Sequence, residues 1–188
     1  FQGVTVQGGS SDLASAADRM RVLGGLPSLS LGHYRAHAGS GARGMLRVAL
    51  DMGPEHPEFE QHKSTFLALY EQTMTDRTVA FEGVEALVKT LQEQDLVWGV
   101  VTNKAQRLAL PLMGSMPLFD RAAVQVCGDT TAYAKPHPEP LLEAARRVGC
   151  APAVCIYVGD DVRDIQAGKA AGMRTVAACY GYLGPGAD

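Results

Sequence analysis

The sequence predicts an α/β protein: a parallel sheet covered by helices on both faces, with a helical module inserted early in the chain. Three observations predict it. From Asp95 onward, short β-rich runs alternate with stretches of helical spacing, the pattern of strands joined by crossover helices. Between about Ser11 and Asp76 no β-rich run interrupts the helical spacing. At 46% hydrophobic over 188 residues there is apolar material for a sizeable core, in one domain or one domain with a modest insertion.

Each element follows from local signals. Ser11-Asp12 can cap a helix through Val22, and Gly41 to Leu50 and Glu58 to Met74 carry helical spacing. Phe81-Glu82-Gly83 marks the return to the sheet. Leu96 to Thr102 is then a strand and Ala105 to Met113 a helix; Ala123 to Cys127 is a strand and Glu139 to Val148 a helix stopped by Gly149. Val154 to Val158, an alanine-rich helix through Ala171 stopped by Gly172, and a strand from Arg174 to Cys179 complete the alternation. The expected division is a helical module over 11–80 and an α/β core over 1–10 and 81–188, its first strand incomplete.

A formal charge of -3 argues against a nucleic-acid or anionic-membrane binder. No apolar run approaches the roughly 18 residues of a membrane span, and no signal-peptide pattern opens the chain. The four cysteines form no C-x-x-C pair. Cys127, Cys155 and Cys179 lie in or beside apolar runs and are expected to be buried, reduced thiols, which suits a cytoplasmic protein. Oligomeric state leaves no trace in the sequence.

Ligands of open α/β sheets bind beyond the carboxyl ends of the strands, and three candidates fall there. Asp160, Asp161 and Asp164 follow the strand ending at Val158. Carboxylates of this kind suit Mg2+, which binds one or two of them and keeps several waters; the competing use of such an Asp is to cap the next helix. One residue satisfies a cap, and here there are three in five positions. Thr102-Asn103 ends an earlier strand, where a hydroxyl and the amides of a helix start can donate to phosphate. In Lys135-Pro136-His137-Pro138 the prolines restrict the backbone beside Lys135, which can neutralise carboxylates and phosphate together. His137 is read as structural or solvent-facing.

In this order, Thr102, Lys135 and Asp160 make the chain resemble the haloacid dehalogenase-like phosphatases. Within them it is similar to bacterial phosphoglycolate phosphatases and N-acetylmuramic acid 6-phosphate phosphatases. The likeness is carried by Gly39-Ser40-Gly41-Ala42-Arg43, Trp98-Gly99-Val100-Val101-Thr102-Asn103-Lys104, Lys135-Pro136-His137-Pro138-Glu139-Pro140, Ala167-Gly168-Lys169-Ala170-Ala171-Gly172-Met173 and Tyr180-Gly181-Tyr182. The resemblance implies a Rossmann-like three-layer core and a cap of the helical type. It implies Thr102 and Asn103 on phosphate, Lys135 as the catalytic lysine and Asp160 on Mg2+. Asp164 would support the metal shell or orient Lys135, with Asp161 a further candidate ligand. Arg43 would pair a carboxylate or phosphate of the substrate or remain a solvated helix-start arginine. The implied reaction is Mg2+-dependent hydrolysis of a small phosphorylated metabolite, 2-phosphoglycolate first and N-acetylmuramic acid 6-phosphate as the alternative. A phosphomutase or dehalogenase on the same fold is a lesser reading.

One motif of the family, Asp-x-Asp-Gly-Thr near the N-terminus, does not occur; its place falls near Val4 to Ser11, and no acidic residue precedes Asp12. As it stands the chain should not form a phosphoaspartate. Either the loop belongs to the natural protein and lies outside this sequence, or the protein is an inactive relative that binds phosphate or metal. Phe1-Gln2-Gly3 matches the remnant of a common tag-removing protease site, and both ends read as trimmed. With Thr102, Lys135 and Asp160 all in place, the expectation is a phosphatase whose loop is missing from the sequence.

Overall fold

The computed structural model describes residues 6–7 and 9–179, with side chains from Ser11 onward. They form two compact units, Val6–Val79 and residues 80–179.

The first unit is helical. A strand β1 (Val6–Gln7) pairs with β2 (Val79–Ala80). Helix α1 (Gly9–Leu23) begins two residues before the expected Ser11-Asp12 cap, so Asp12 sits inside its first turn, where a carboxylate is favoured by the helix dipole. Helices α3 (Gly41–Leu50) and α4 (Phe59–Glu71) pack on α1 and on each other. Ala14, Ala17, Met45, Leu46, Phe66 and Tyr70 are buried, the small residues of α1 admitting the large ones of its neighbours. A four-residue helix α2 (Gly32–Arg35), absent from the sequence reading, is fixed by tertiary bonds: Tyr34 donates its hydroxyl to Asp18 Oδ1 at 3.1 Å, and the Ser28 hydroxyl and the Leu29 N–H donate to the same carboxylate. Those bonds hold Asp18 below the usual carboxylate range against its desolvation.

The second unit is α/β. Helix α5 (Val84–Glu93) leads to β3 (Gly99–Val101), then α6 (Gln106–Gly114), β4 (Val124–Val126), α7 (Glu139–Arg147), β5 (Ile156–Gly159), α8 (Val162–Ala170) and β6 (Arg174–Ala177). Strands β3 and β4 pair in parallel, Gly99 opposite Val124 and Val101 opposite Val126; β5 and β6 pair in parallel, Ile156 opposite Arg174 and Gly159 opposite Ala177. Among the described residues these are two separate ladders rather than one continuous sheet. A single hydrophobic cluster nevertheless joins them, including Val101, Val126, Leu141, Tyr157, Ala167 and Met173.

The strands are shorter than their apolar runs. Leu96 N–H bonds to Leu91 O and so belongs to the exit of α5, and Val154 ends a 3-10 turn at Pro152–Val154. Cys179 is exposed, contrary to expectation, because β6 stops at Ala177; Cys127 and Cys155 are buried, and burial pushes both thiols up. Helix α8 approaches the sheet at Gly168, where a Cβ would run into Thr175 Cγ2 and stand 3.5 Å from Tyr157 Cβ. That close approach locks the Tyr157 ring against the helix. No helix among the described residues is long and apolar enough to cross a membrane.

Candidate active site

The α/β unit brings its candidate residues to the carboxyl ends of β3 and β5. Thr102 extends the β3–β4 ladder by one bond, its N–H donating to Val126 O at 2.9 Å. Its hydroxyl oxygen accepts from Lys104 N at 3.1 Å, which turns the chain toward α6. Asn103 has a use the sequence did not suggest. Its Nδ2 donates to Lys135 O and its Oδ1 accepts from Lys135 N, both at 2.9 Å. The amide side chain is therefore spent on clamping the Lys135 backbone. Lys104 beside it is half-buried, and desolvation pulls its ammonium down to about 8.

Lys135 turns inward. Its Nζ donates to Val101 O at 3.0 Å, to the Tyr157 hydroxyl at 2.8 Å and to Asp164 Oδ1 at 2.7 Å. An ammonium has three donors, and all three are engaged. The side chains of Lys135 and Asp164 are each only 9% exposed, so this is a desolvated ion pair that also ties β3 to β5. Burial, with Asp164 next in line, pushes the Tyr157 hydroxyl well above the ordinary phenol range, so it remains a neutral hydrogen-bonding group.

The three carboxylates divide their work. Asp161 is the N-cap of α8: its Oδ1 accepts from Arg163 N at 2.8 Å, and Arg163 also grips both its oxygens through Nε and Nη2 at 2.8 and 2.7 Å. The candidate ligand Asp161 is thus occupied as cap and ion-pair partner. Asp164 closes the capping box, its Oδ2 accepting from Asp161 N at 3.2 Å while Oδ1 takes Lys135. Asp160, half-buried at the end of β5, serves neither the cap nor the box.

Two expected results follow from this division. The Arg163 hydrogen bond holds Asp161 below its ordinary value of 3.8 despite desolvation. A depressed carboxylate stabilises the fold above the unfolded value and loses that contribution as pH falls through the folded one. Asp161→Ala should cost about 1 kcal/mol in urea unfolding at pH 7, and the gap from the parent should shrink at about pH 3. Gly159→Ala places its Cβ against Asp164 Cβ and Oδ2; the carboxylate must shift from Lys135, and unfolding should be easier by about 1–3 kcal/mol.

Arg43 lies in the helical unit, exposed on the first turn of α3. His137 is exposed, its ring stacked on Tyr133 at 4.4 Å and its Nδ1 accepting from Glu139 N, a structural role. Asp12, the first acidic residue of the chain, is 2% exposed and accepts from the Thr78 hydroxyl at 3.0 Å; burial raises its pKa. It is a buried anchor of the helical unit. Of the stretch Val4 to Ser11, where the nucleophile loop is expected, Val6–Gln7 form β1 and Gly9 to Ser11 open α1, while Val4, Thr5 and Gly8 lie outside the described residues. Tyr157 was not foreseen, since an aromatic residue within an apolar strand reads as core.

Among the described residues no group of three or more His, Cys, Asp and Glu side chains converges on one point, so there is no all-protein cage. A half-buried carboxylate at a strand end is the form of binding Mg2+ uses when waters and a substrate phosphate complete its shell. Asp160 fits that form.

Residues 25–178 match the family described as haloacid dehalogenase-like hydrolase. The chain belongs to that family. Within it, similar relatives are named as phosphatases. The chain is 40% identical over 181 residues to a phosphoglycolate phosphatase of Xanthomonas campestris, covering 95% of this chain and 80% of the relative. It is 38% identical over 174 residues to an N-acetylmuramic acid 6-phosphate phosphatase of Pseudomonas putida, covering 93% and 78%. The crystal structure of a predicted phosphoglycolate phosphatase from Haemophilus somnus superposes with a TM-score of 0.83 at 25% identity, over 96% of this chain and 83% of that one. The α/β fold with parallel strands is the fold of the family.

Proposed function

We propose that this hydrolase cleaves a small phosphomonoester with the help of Mg2+, 2-phosphoglycolate first. The observation that carries the proposal is Lys135, a buried ammonium held between the ends of β3 and β5 by Val101, Tyr157 and Asp164. Such a charge, with the Thr102 hydroxyl following β3 and the half-buried Asp160 following β5, is the equipment for gathering negative oxygens on phosphorus. When bound, Mg2+ would be held by Asp160 with waters and phosphate, and would supply positive charge to the phosphoryl oxygens.

The roles proposed for this chain's own residues follow from their positions. Lys135 neutralises a phosphoryl oxygen, and Thr102 donates its hydroxyl proton to another while its oxygen keeps the bond from Lys104 N. Asn103 fixes the Lys135 backbone; any phosphate contact it makes is through its main chain. Asp164 orients Lys135 and is not itself a ligand in this account. The helical unit is proposed to act as the cap, with Arg43 its partner for a substrate carboxylate or phosphate.

Attack on phosphorus needs a nucleophile, and the 188-residue sequence offers no carboxylate before the buried Asp12. The phosphoaspartate would therefore form on a loop outside this sequence. The same observation favours a second reading, an inactive relative that binds phosphate without turning it over. N-acetylmuramic acid 6-phosphate is the alternative substrate, supported by the Pseudomonas relative's name. A cytoplasmic location suits either metabolite. The test is phosphate release from both compounds, with and without Mg2+, by protein expressed from its natural gene. Release from neither, with phosphate still bound, would select the inactive reading.

A further inference from the structure

Lys135 has a flexible four-carbon stem, and something must fix where its charge stands. Asp164 alone fixes a direction, since one contact leaves the ammonium free to swing around it. Val101 O and the Tyr157 hydroxyl supply the other two points, at 3.0 and 2.8 Å. The tyrosine is the more rigid of the side-chain partners. Its ring is 2% exposed, belongs to the cluster joining the two ladders, and is backed by α8 at Gly168. Its hydroxyl also lies 3.1 Å from Val101 O and 3.3 Å from Asp164 Oδ1, the same two atoms that Lys135 reaches.

The arrangement is a closed ring of donors and acceptors. Three ammonium protons and one hydroxyl proton are shared among Val101 O, Asp164 Oδ1 and the tyrosine oxygen. Two of the ammonium's partners differ in strength: the bond to Asp164 joins opposite charges, whereas the bond to Tyr157 is to a neutral oxygen. When a phosphoryl oxygen arrives, the tyrosine bond is the one that can be exchanged for it while Asp164 and Val101 keep the ammonium in place.

We propose that Tyr157 is a positioning residue for Lys135: its core-locked hydroxyl holds the ammonium at the end of β3 and hands one N–H to a phosphoryl oxygen. This rests on the reading of Lys135 as a phosphate-binding residue, and two separate measurements keep the ideas apart.

The first needs no activity. In the 188-residue protein labelled with 15N-lysine, the Lys135 ammonium should give a slowly exchanging signal, identified by its loss in Lys135→Ala. Tyr157→Phe removes only the hydroxyl and should abolish that slow exchange without unfolding the protein. An unchanged signal would overturn the proposal. The second is titration with inorganic phosphate in the presence of Mg2+. Tyr157→Phe should weaken binding by about five- to tenfold, the size expected for the net loss of one hydrogen bond. In a Lys135→Ala background the same change should cost less than about twofold. Equal losses in both backgrounds would mean that the hydroxyl acts apart from Lys135. If Lys135→Ala binds phosphate like the parent, the phosphate reading fails, and the exchange signal still decides whether Tyr157 positions the ammonium.

Discussion

Lys135→Ala should be the most damaging single substitution in the α/β unit. Its Nζ is the only cation within ion-pair distance of Asp164 among the described residues, at 2.7 Å, and both side chains are 9% exposed. Removing the lysine leaves a buried carboxylate without its counter-charge, a situation that costs about 3–5 kcal/mol. The bonds to Val101 O and Tyr157 vanish with it, which loosens the hold of β3 on β5. Chemical unfolding should show this loss directly, and phosphate titration should show affinity reduced by at least about tenfold. The companion variant is Lys135→Ala with Asp164→Leu, which removes both charges. It should recover part of the stability, but not all, because Asp164 Oδ2 also completes the cap of α8. Phosphate binding should stay weak in the double variant. If it returned, the role given to Lys135 would be wrong.

Asp160→Asn should have the largest effect on function with little on folding. The residue is at the strand end, and the N-cap and capping box belong to its neighbours Asp161 and Asp164. Asparagine keeps its size and removes the charge that a hard cation needs. Turnover should fall by at least about 100-fold, and the response of phosphate binding to Mg2+ should disappear, while the unfolding free energy from urea titration stays within about 0.5 kcal/mol of the parent. Retained Mg2+ dependence would move the metal to another residue. The contrast with Lys135→Ala is informative, since one variant separates function from stability and the other joins them.

How much of this was legible in the sequence depends on the range of the interactions concerned. Strand and helix alternation after Asp95 was readable because β-branched runs and helical spacing are local signals. The strand ends were not, because Leu96 and Val154 are apolar yet bond to the preceding helix exit and to a 3-10 turn. The acidic cluster was recognisable as a candidate site, but its division of labour was hidden. Only the backbone geometry of α8 makes Asp161 the cap and swings Asp164 toward a lysine 29 residues away in sequence. Asn103 and Tyr157 were illegible for the same reason, as their partners lie 32 and 22 residues away. The break between the β3–β4 and β5–β6 ladders is a further feature that no local pattern encodes.

The most direct test of the central claim is phosphate release from 2-phosphoglycolate with Mg2+, using protein expressed from its natural gene beside the Asp160→Asn and Lys135→Ala variants. The account predicts Mg2+-dependent release by the parent and its near loss in both variants. No release from 2-phosphoglycolate or from N-acetylmuramic acid 6-phosphate, by a folded protein that still binds phosphate, would contradict it and leave a binding protein in its place.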